Sequence, residues 1–259
     1  MNSCAAPDFS LRGKLALITG STQGLGLAIA QAYAASGARV VINGRRADKV
    51  AQVVDGLTAQ GHAAHGYTQD ISHLPEQEAA FRQLCDDAGT PDILVNNVGI
   101  RIRKSLAQAS LDDILELIKV DLVAAVQLSR LAAGAMADKG IQGRLITLTS
   151  IAGELARPGD AIYPIAKQGL SGMIRALAVE YGSCGITSNG IAPGTFATET
   201  NASLAADPVK GPMVIGRNPL ARWARPDEIA GAAVFLASPS ASYVNGHILV
   251  VDGGFSVTF

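Results

Sequence analysis

The sequence has little cysteine. Its 259 residues include only Cys4, Cys85 and Cys184, which are odd in number and far apart. This spacing argues against a disulfide framework and is typical of a protein from a reducing compartment. No CxxC pair or Cys/His cluster occurs, so a structural zinc site is not indicated and we expect no bound metal.

Neither sign of charge is in excess, and no long apolar run is present. The net charge is −1 at pH 7, with both signs interspersed, which gives no electrostatic basis for binding nucleic acid or a membrane surface. The chain has no stretch of about 20 consecutive apolar residues, and its first residues, MNSCAAPDFSLRGK, lack the apolar core of a signal peptide. We therefore expect a soluble, cytoplasmic protein that binds neither nucleic acid nor a membrane.

Aromatic residues are scarce, at 5%, although 48% of residues are hydrophobic, so aliphatic and alanine side chains must build the core. Apolar runs alternate with helix-length segments. Nearly continuous apolar runs are typical of a parallel sheet covered on both faces, and the alternation predicts a single doubly wound α/β domain. The predicted strands are 14–19, 39–43, 92–97, 144–149, 186–192 and 247–254, with a weaker one at 62–67. The predicted helices are 24–36, 46–60, 74–88, 110–138, 160–182 and 226–237.

Two segments depart from this rhythm. Residues 1–13 precede the first strand and are predicted to be an N-terminal tail. Residues 194–225 are loop-like and punctuated by glycine and proline. An insertion near the carboxyl ends of strands is where a lid over a substrate would lie, and we predict such a lid here.

A glycine-rich turn joins the first strand to the first helix. The sequence TGSTQGLG (19–26) has glycines at positions 20, 24 and 26. Glycines in such a turn let the backbone approach a pyrophosphate, while the helix N-terminus supplies amide donors. A tight turn that only packs against a helix is the alternative.

The end of the second strand indicates which dinucleotide is bound. An acidic residue there binds the ribose 2′-hydroxyl of NAD, whereas arginine accommodates the 2′-phosphate of NADP. The sequence VVINGRRADK (40–49) has Arg45 and Arg46 in tandem and no acid before Asp48. We therefore predict a preference for NADP(H), with NAD(H) as the alternative; the two arginines could also be a solvated helix start.

Tyr163 and Lys167 are four residues apart, so they would share one face of a helix. Ser150 lies thirteen residues before Tyr163. A free tyrosine titrates near pH ~10, and lowering this by roughly three units takes about 4 kcal/mol. A neighbouring ammonium, together with a positively charged nicotinamide, can supply much of that. We predict that Tyr163 is the acid/base, that Lys167 is its cationic partner and that Ser150 positions the substrate oxygen.

These motifs together resemble the short-chain dehydrogenase/reductase family over essentially the whole chain. The resemblance rests on the glycine turn, NNVG (96–99), the Ser150/Tyr163/Lys167 set, APG (192–194) followed by Thr198, and VDGG (251–254). It implies a Rossmann-type fold with a seven-stranded parallel sheet, and usually a homotetramer. Within the family the sequence looks most like gluconate 5-dehydrogenases, through segments such as ELARPGDAIYPIAK (154–167) and NGIAPGTFATE (189–199).

The resemblance also implies roles for individual residues. Asp70 would contact adenine, Asn96 would help to hold the adenosine side, and the segment from Pro193 to Thr198 would line the nicotinamide side, where Lys167 would also bind the ribose. The predicted cofactor-binding residues are Gly20, Ser21, Thr22, Gln23, Gly24, Leu25, Gly26, Asn43, Arg45, Arg46, Asp70, Ile71, Asn97, Val98, Gly99, Tyr163, Lys167, Pro193, Gly194 and Thr198.

One position departs from the family pattern. The family usually has asparagine on the long fourth helix, supporting a water that links the lysine to solvent, and this sequence has Asp121 there. Aspartate keeps an acceptor but loses the amide donors. We count Asp121 among the catalytic residues and expect activity to survive, although a buried carboxylate near Lys167 could instead perturb the proton relay.

The substrate is indicated by basic residues. Arg101, Arg103 and Lys104 follow the fourth strand, where a guanidinium could pair with a substrate carboxylate; a solvated loop or a subunit contact are the alternatives. Glu154 and Arg157 could bind hydroxyls or form a surface pair.

These residues predict an oxidoreductase that interconverts a secondary alcohol and a ketone on a sugar acid or polyol. Thr195 and the segment 204–219 depart from the gluconate 5-dehydrogenase pattern, so reduction of a 3-oxoacyl thioester or another carbonyl stays open. A non-catalytic nucleotide-binding regulator is the alternative from a different class.

Overall fold

The computed structural model describes residues 6–259, so Cys4 and the first five residues of the predicted tail lie outside the described residues. The strands form one parallel seven-stranded sheet in the order β3-β2-β1-β4-β5-β6-β7. The strands are β1 (Leu15–Ile18), β2 (Arg39–Gly44), β3 (Ala64–Thr68), β4 (Ile93–Asn96), β5 (Arg144–Leu148), β6 (Thr187–Pro193) and β7 (Ile248–Val251). The helices are α1 (Gly24–Ala35), α2 (Ala47–Ala59), α3 (Leu74–Ala88), α4 (Leu111–Ile118), α5 (Ala124–Asp138), α6 (Ile162–Tyr181), α7 (Ala202–Ala206), α8 (Lys210–Ile215) and α9 (Ala230–Ala237).

Helices cover both faces of the sheet, which explains the continuous apolar runs. Successive side chains of a strand point to opposite faces. Ala16 and Ile18 of β1 accordingly pack in a core with α1, α2 and α9, whereas Leu15 and Leu17 pack in a second core with α3 and α5. The predicted doubly wound fold with seven parallel strands is confirmed.

The largest difference from the predicted elements is in the helix expected at 110–138. A π-helical turn, Lys119–Val123, separates α4 from α5 within this segment. Such turns insert extra residues into a helix and are frequent at functional sites. Asp121 lies in this turn and is fully buried.

The segment 194–225 is more ordered than its composition indicates. It contains the short helices α7 and α8, and a β-bridge between Phe196 and Ala224 joins its two ends. The indole Nε1 of Trp223 donates to the carbonyl of Gly211 at 3.2 Å, which fastens α8 to the end of the segment. That this segment acts as a lid stays a prediction.

The described part of the predicted tail is attached to the domain. Leu11 is fully buried and its amide donates to the carbonyl of Ser36 at 2.9 Å. The ring of Phe9 lies 6.5 Å from that of Phe235 on α9. None of the helices found between residues 6 and 259 is both long and apolar enough to cross a membrane.

Candidate active site

Ser150 and the helix that carries Tyr163 and Lys167 are brought together beyond the end of β5. Ser150 caps a 3-10 helix, Ile151–Gly153, where its Oγ accepts the amide hydrogen of Ala152 at 3.1 Å. A Cβ on Gly153 would lie 3.4 Å from the backbone of Lys167, so this short helix rests directly on α6. The structure therefore places Ser150, Tyr163 and Lys167, three of the four predicted catalytic residues, in one region.

The ammonium of Lys167 is buried beside the ring of Tyr163. Its Nζ lies 5.4 Å from the centre of that ring, 3.2 Å from Oδ2 of Asp121 and 3.4 Å from the carbonyl of Leu148. The side chain is 5% exposed. A cation so enclosed retains its position, and its field acts on the phenol through little water.

Asp121 connects this lysine to the loop after β4. Its Oδ1 accepts the amide hydrogen of Ile100 at 2.6 Å, and its Oδ2 faces Lys167. Burial raises the pKa of the Asp121 carboxyl, while Lys167 and the amide of Ile100 oppose that rise. A Cβ on Gly99 would lie 2.8 Å from Oδ2 of Asp121 and 3.1 Å from Nζ of Lys167, so any larger residue would have to displace this ion pair.

An open cleft of about 560 Å³ lies at the carboxyl ends of β1 to β4. Its volume is in the range of small-molecule and cofactor sites. Fourteen of the predicted cofactor residues line it: Gly20, Thr22, Gln23, Gly24, Leu25, Asn43, Arg45, Arg46, Asp70, Ile71, Asn97, Val98, Gly99 and Thr198. The other six, Ser21, Gly26, Tyr163, Lys167, Pro193 and Gly194, do not belong to its lining.

The glycine turn needs its glycines for two different reasons. Gly20 and Gly24 have φ of +61° and +59°, in the left-handed region that favours glycine. At Gly26 a Cβ would lie 2.5 Å from both the carbonyl oxygen of Gly20 and Nδ2 of Asn97, so α1 can approach the turn only without a side chain. Gly26 thus allows α1 to pack against the turn, although Gly26 itself does not line the cleft.

Several predicted cofactor residues also form hydrogen bonds with the backbone segments around the cleft. Ser21 is fully buried and its Oγ bonds to the backbone of β1 and β2. The side chain of Asn43 accepts from the amide of Gly20 at 3.2 Å, and its Nδ2 donates to two backbone carbonyls at the end of β3 and just after it. Asn97 donates to the carbonyls of Thr19 and Gly20, and Asn96 lies in the core, bonded to a serine and a threonine.

One end of the cleft is basic. Arg45 is 79% exposed, with Nη1 3.9 Å from Oδ2 of Asp70, whereas Arg46 is paired with Asp48 at 2.5 Å. Lys49 lines the same end and was missed by sequence reasoning, which stopped at the two arginines. Its position in the first turn of α2, three residues after Arg46, is the signal that could have identified it.

A second basic group lies beside Tyr163. Arg101 bonds through Nε to Oδ2 of Asp160 at 3.0 Å, and Arg157 lies 3.4 Å from the same oxygen. Burial and the nearby Arg101 and Arg157 lower the pKa of the Arg103 guanidinium. Asp160, which sequence reasoning missed, thus joins two of the predicted substrate residues.

The remaining residues of this group have other partners. Lys104 is paired with Asp113 at the start of α4, at 2.6 Å. Glu154 is exposed, and the alternative surface pair of Glu154 with Arg157 is not formed, because Arg157 faces Asp160. No group of three His, Cys, Asp or Glu side chains within residues 6–259 is placed to bind a metal ion.

Comparisons with known proteins agree with this geometry. A family described as enoyl-(acyl carrier protein) reductase matches residues 20–256. Gluconate 5-dehydrogenase of Gluconobacter oxydans is 37% identical over 97% of this chain and 98% of the relative. A 3-oxoacyl-[acyl-carrier-protein] reductase of Synechocystis sp. is 36% identical over 95% of this chain and 98% of its own length.

A solved structure is similar over the same extent. The gluconate 5-dehydrogenase of Burkholderia cenocepacia, in complex with NADP and tartrate, superposes with a TM-score of 0.92 at 37% identity, covering 97% of this chain and 98% of that one. The predicted resemblance is confirmed by the sequence and structural matches over nearly the full length. The chain belongs to the short-chain dehydrogenase/reductase family and is an oxidoreductase.

Proposed function

We propose that this protein is an NADP(H)-dependent dehydrogenase/reductase that interconverts a secondary alcohol and a ketone on a sugar acid of the gluconate type. The observation that carries the proposal is the buried ammonium of Lys167, 5.4 Å from the ring centre of Tyr163, beside a dinucleotide-sized cleft. The names of the gluconate 5-dehydrogenase relatives support the substrate class.

The cleft fits a phosphorylated dinucleotide. The left-handed glycines at 20 and 24 leave the turn open for close approach of a pyrophosphate, and α1 begins at this turn. Arg45, Arg46 and Lys49 give the ribose end the positive charge that a 2′-phosphate requires, and no acid ends β2. The NADP bound by the Burkholderia relative supports the same choice.

The chain's own residues then handle the proton. When bound, the nicotinamide cofactor supplies or accepts the hydride. Tyr163 donates its hydroxyl proton to the substrate oxygen in reduction and takes it back in oxidation. The ammonium of Lys167 favours the phenolate that this exchange requires. Because Oγ of Ser150 accepts from Ala152, its own hydrogen stays free to bond the substrate oxygen.

The charge beside Tyr163 suits an anionic substrate. Arg101 and Arg157 contact the carboxylate of Asp160, and the charges of all three groups act on Arg103 nearby. Three arginines and one carboxylate leave an excess of positive charge. Arg103 forms no ion pair within the described chain, whereas Arg101 and Arg157 face Asp160. We propose Arg103 as the group that pairs with the substrate carboxylate.

A substrate panel with NADPH and NADP⁺ tests this function. Gluconate and its 5-keto derivative should be turned over, a neutral polyol of equal length more weakly, and 3-oxoacyl thioesters least. Arg103→Ala should raise KM for the sugar acid by about ten- to a hundredfold, as for loss of a charge-assisted contact, and leave KM for the neutral polyol nearly unchanged. Preferential turnover of the thioester would instead favour the second candidate, which the Synechocystis relative supports.

Tyr163→Phe tests the chemistry. The change keeps the ring and removes only the hydroxyl, so folding and NADPH binding should persist while kcat falls by about 10²–10⁴-fold. Lys167→Ala should damage cofactor binding as well as kcat. A Tyr163→Phe variant that keeps more than about a tenth of wild-type kcat would show that the pair serves packing only.

We also propose a homotetramer. Six exposed apolar side chains lie on α4, on the π-helical turn, on α5 and on α6, and are together called the α4–α6 stripe: Leu111, Leu115, Val123, Val126, Ile165 and Val179. A second exposed apolar group lies on and after β7, an edge strand of the sheet: Val250, Val257 and Phe259. Two such surfaces support a dimer of dimers, since exposed apolar patches and sheet edges are commonly covered by partners.

A further inference from the structure

A second cation, besides Lys167, lies against the catalytic tyrosine. The guanidinium carbon of Arg101 lies 4.5 Å from the centre of the Tyr163 ring. A guanidinium within about 6 Å of a ring centre interacts with its π electrons, and the interaction strengthens where water is excluded. The Arg101 side chain is 34% exposed, so one part of it is in contact with protein.

Asp160 fixes this guanidinium. Nε and Nη2 of Arg101 both bond to Oδ2 of Asp160, and the Asp160 side chain is 2% exposed. Its other oxygen, Oδ1, is buried without a hydrogen-bond partner in the described chain. A buried carboxylate is costly unless it is paired, and here the pairing is all on one oxygen.

The two loops that carry these residues are also joined through their backbones. The amide of Ala161 donates to the carbonyl of Lys104 at 3.2 Å, three residues after Arg101. Asp160 immediately precedes this contact and lies three residues before Tyr163. The placement of Arg101 therefore depends on the start of α6, the same helix that carries the tyrosine.

We propose that Asp160 is a positioning residue that holds Arg101 against Tyr163, so that the guanidinium favours the phenolate in oxidation. The inference rests on the proposed role of Tyr163 as acid/base. Nε and Nη2 of Arg101 both donate to Asp160, and this pairing holds the guanidinium over the ring of Tyr163. Arg103 is then the arginine that we assign to the substrate carboxylate.

Several charged groups lie around Tyr163, so an experiment on Asp160 has to separate the effect of its own charge from the effect of releasing Arg101. Lys167 lies beside the ring with Asp121 behind it, and Arg101 lies over the ring with Asp160, Arg157 and Arg103 beyond. Asp160→Asn removes a negative charge near Tyr163 and also releases Arg101. A direct effect of the charge would make the phenolate easier to form, whereas the loss of Arg101 would make it harder.

The experiment compares wild type, Asp160→Asn, Arg101→Met and the double variant Arg101→Met/Asp160→Asn, which leaves no orphan buried carboxylate. Two readouts are taken: the pH midpoint of the oxidation rate, and the ultraviolet titration of tyrosinate in the protein without cofactor, each referenced to Tyr163→Phe. We expect Asp160→Asn and Arg101→Met each to raise the midpoint by about 0.4–1.5 pH units, the range of a cation–π contact.

The double variant should shift the midpoint no further than Arg101→Met, because Asp160 acts through Arg101. In all three variants, KM for the sugar acid should change less than it does in Arg103→Ala. An unchanged or lowered midpoint in Asp160→Asn, or a double variant with the sum of both shifts, would overturn the proposal. If Asp160→Asn does not fold, Arg101→Lys decides, since it keeps the charge but loses the planar contact and should raise the midpoint by a smaller amount.

These outcomes are separate from failure of the proposed function. An inactive wild type, or an active Tyr163→Phe variant, would contradict the function. The titration without cofactor reports only on how the chain's own residues affect Tyr163, and it gives its result for any substrate.

Discussion

Each of the two cations beside Tyr163 is held by a buried carboxylate from another part of the chain. Asp121 faces Lys167 from the π-helical turn, and Asp160 faces Arg101 from the loop before α6. A buried charge keeps a fixed position only where it is paired, because an unpaired one is strongly penalised. The carboxylates therefore determine where positive charge lies around the tyrosine.

Arg45 should determine cofactor preference. It is highly exposed and only loosely paired, so its guanidinium is available to a 2′-phosphate, whereas Arg46 is engaged by Asp48. Arg45→Ala should lower kcat/KM for NADPH by about ten- to a hundredfold and change that for NADH little. Arg46→Ala is the matched control and should have the smaller effect. Equal losses for both cofactors would contradict a role at the phosphate.

Asp121 should make stability depend on pH. Burial raises its pKa in the folded state above the ordinary value of about 3.9, so the folded protein binds more protons than the unfolded chain between these two pKa values. The free energy of unfolding should therefore fall as pH rises through this window, by about 1.4 kcal/mol for each unit of pKa difference.

Asp121→Asn removes this titration. Urea unfolding at a series of pH values from about 3 to 7 should show that wild type loses stability relative to the variant as pH rises from about 3.9. The difference should become constant above the folded-state pKa. A difference that does not change with pH, or that changes with the opposite sign, would show that burial does not control this carboxyl.

The sequence identifies some site residues better than others. The proximity of Ser150, Tyr163 and Lys167 could be predicted because their spacing and chemistry are constrained together, and their catalytic roles stay predictions. Asp160 could not, because a lone acid in a Gly/Pro-containing loop resembles a solvated one until the fold brings Arg101 to it. Arg101 was predicted to contact the substrate for the same reason: its partner Asp160 is 59 residues away in the chain, so the sequence shows Arg101 as an unpaired cation.

At the scale of elements, the strands and most helices follow from apolar patterning, but the π-helical turn does not. The segment 110–138 has the period of one helix, and no residue in KVDLV marks an insertion. The turn appears where Asp121 accepts from the amide of Ile100, a contact between parts of the chain that a local pattern does not record. Helices α7 and α8 were missed because each is too short to show a period.

Two glycines on helices should respond oppositely to alanine. At Gly26 on α1 a Cβ would meet Gly20 and Asn97 at 2.5 Å, so Gly26→Ala should destabilise the protein by about 1–3 kcal/mol and weaken NADPH binding. A Cβ added at Gly56 on α2 would meet no atom within 4 Å, so Gly56→Ala should stabilise the protein by about 0.5–1 kcal/mol. Thermal or urea unfolding measures both, and a neutral Gly26→Ala would show that α1 can move away from the turn.

At the scale of the whole molecule, the number and direction of the strands were predicted, but their order in the sheet was not. Alternating strands and helices predict a parallel sheet, but the order in which the strands pair depends on which crossover packs on which face. The observed order places the glycine turn of β1 beside β2 and β4, so one crevice collects residues from four strand ends.

The α4–α6 stripe should form one of the two subunit interfaces of the proposed tetramer. Val126 lies on this stripe and is 42% exposed, so Val126→Arg adds charge to the apolar surface without entering the core, and arginine is well tolerated in helices. Light scattering during gel filtration should show a mass about half that of wild type, because contacts at β7 would persist. Val209→Arg, at an exposed apolar residue outside the stripe, is the control and should leave the mass unchanged. A monomeric wild type, or a Val126→Arg variant with wild-type mass, would show that the stripe is not a subunit interface.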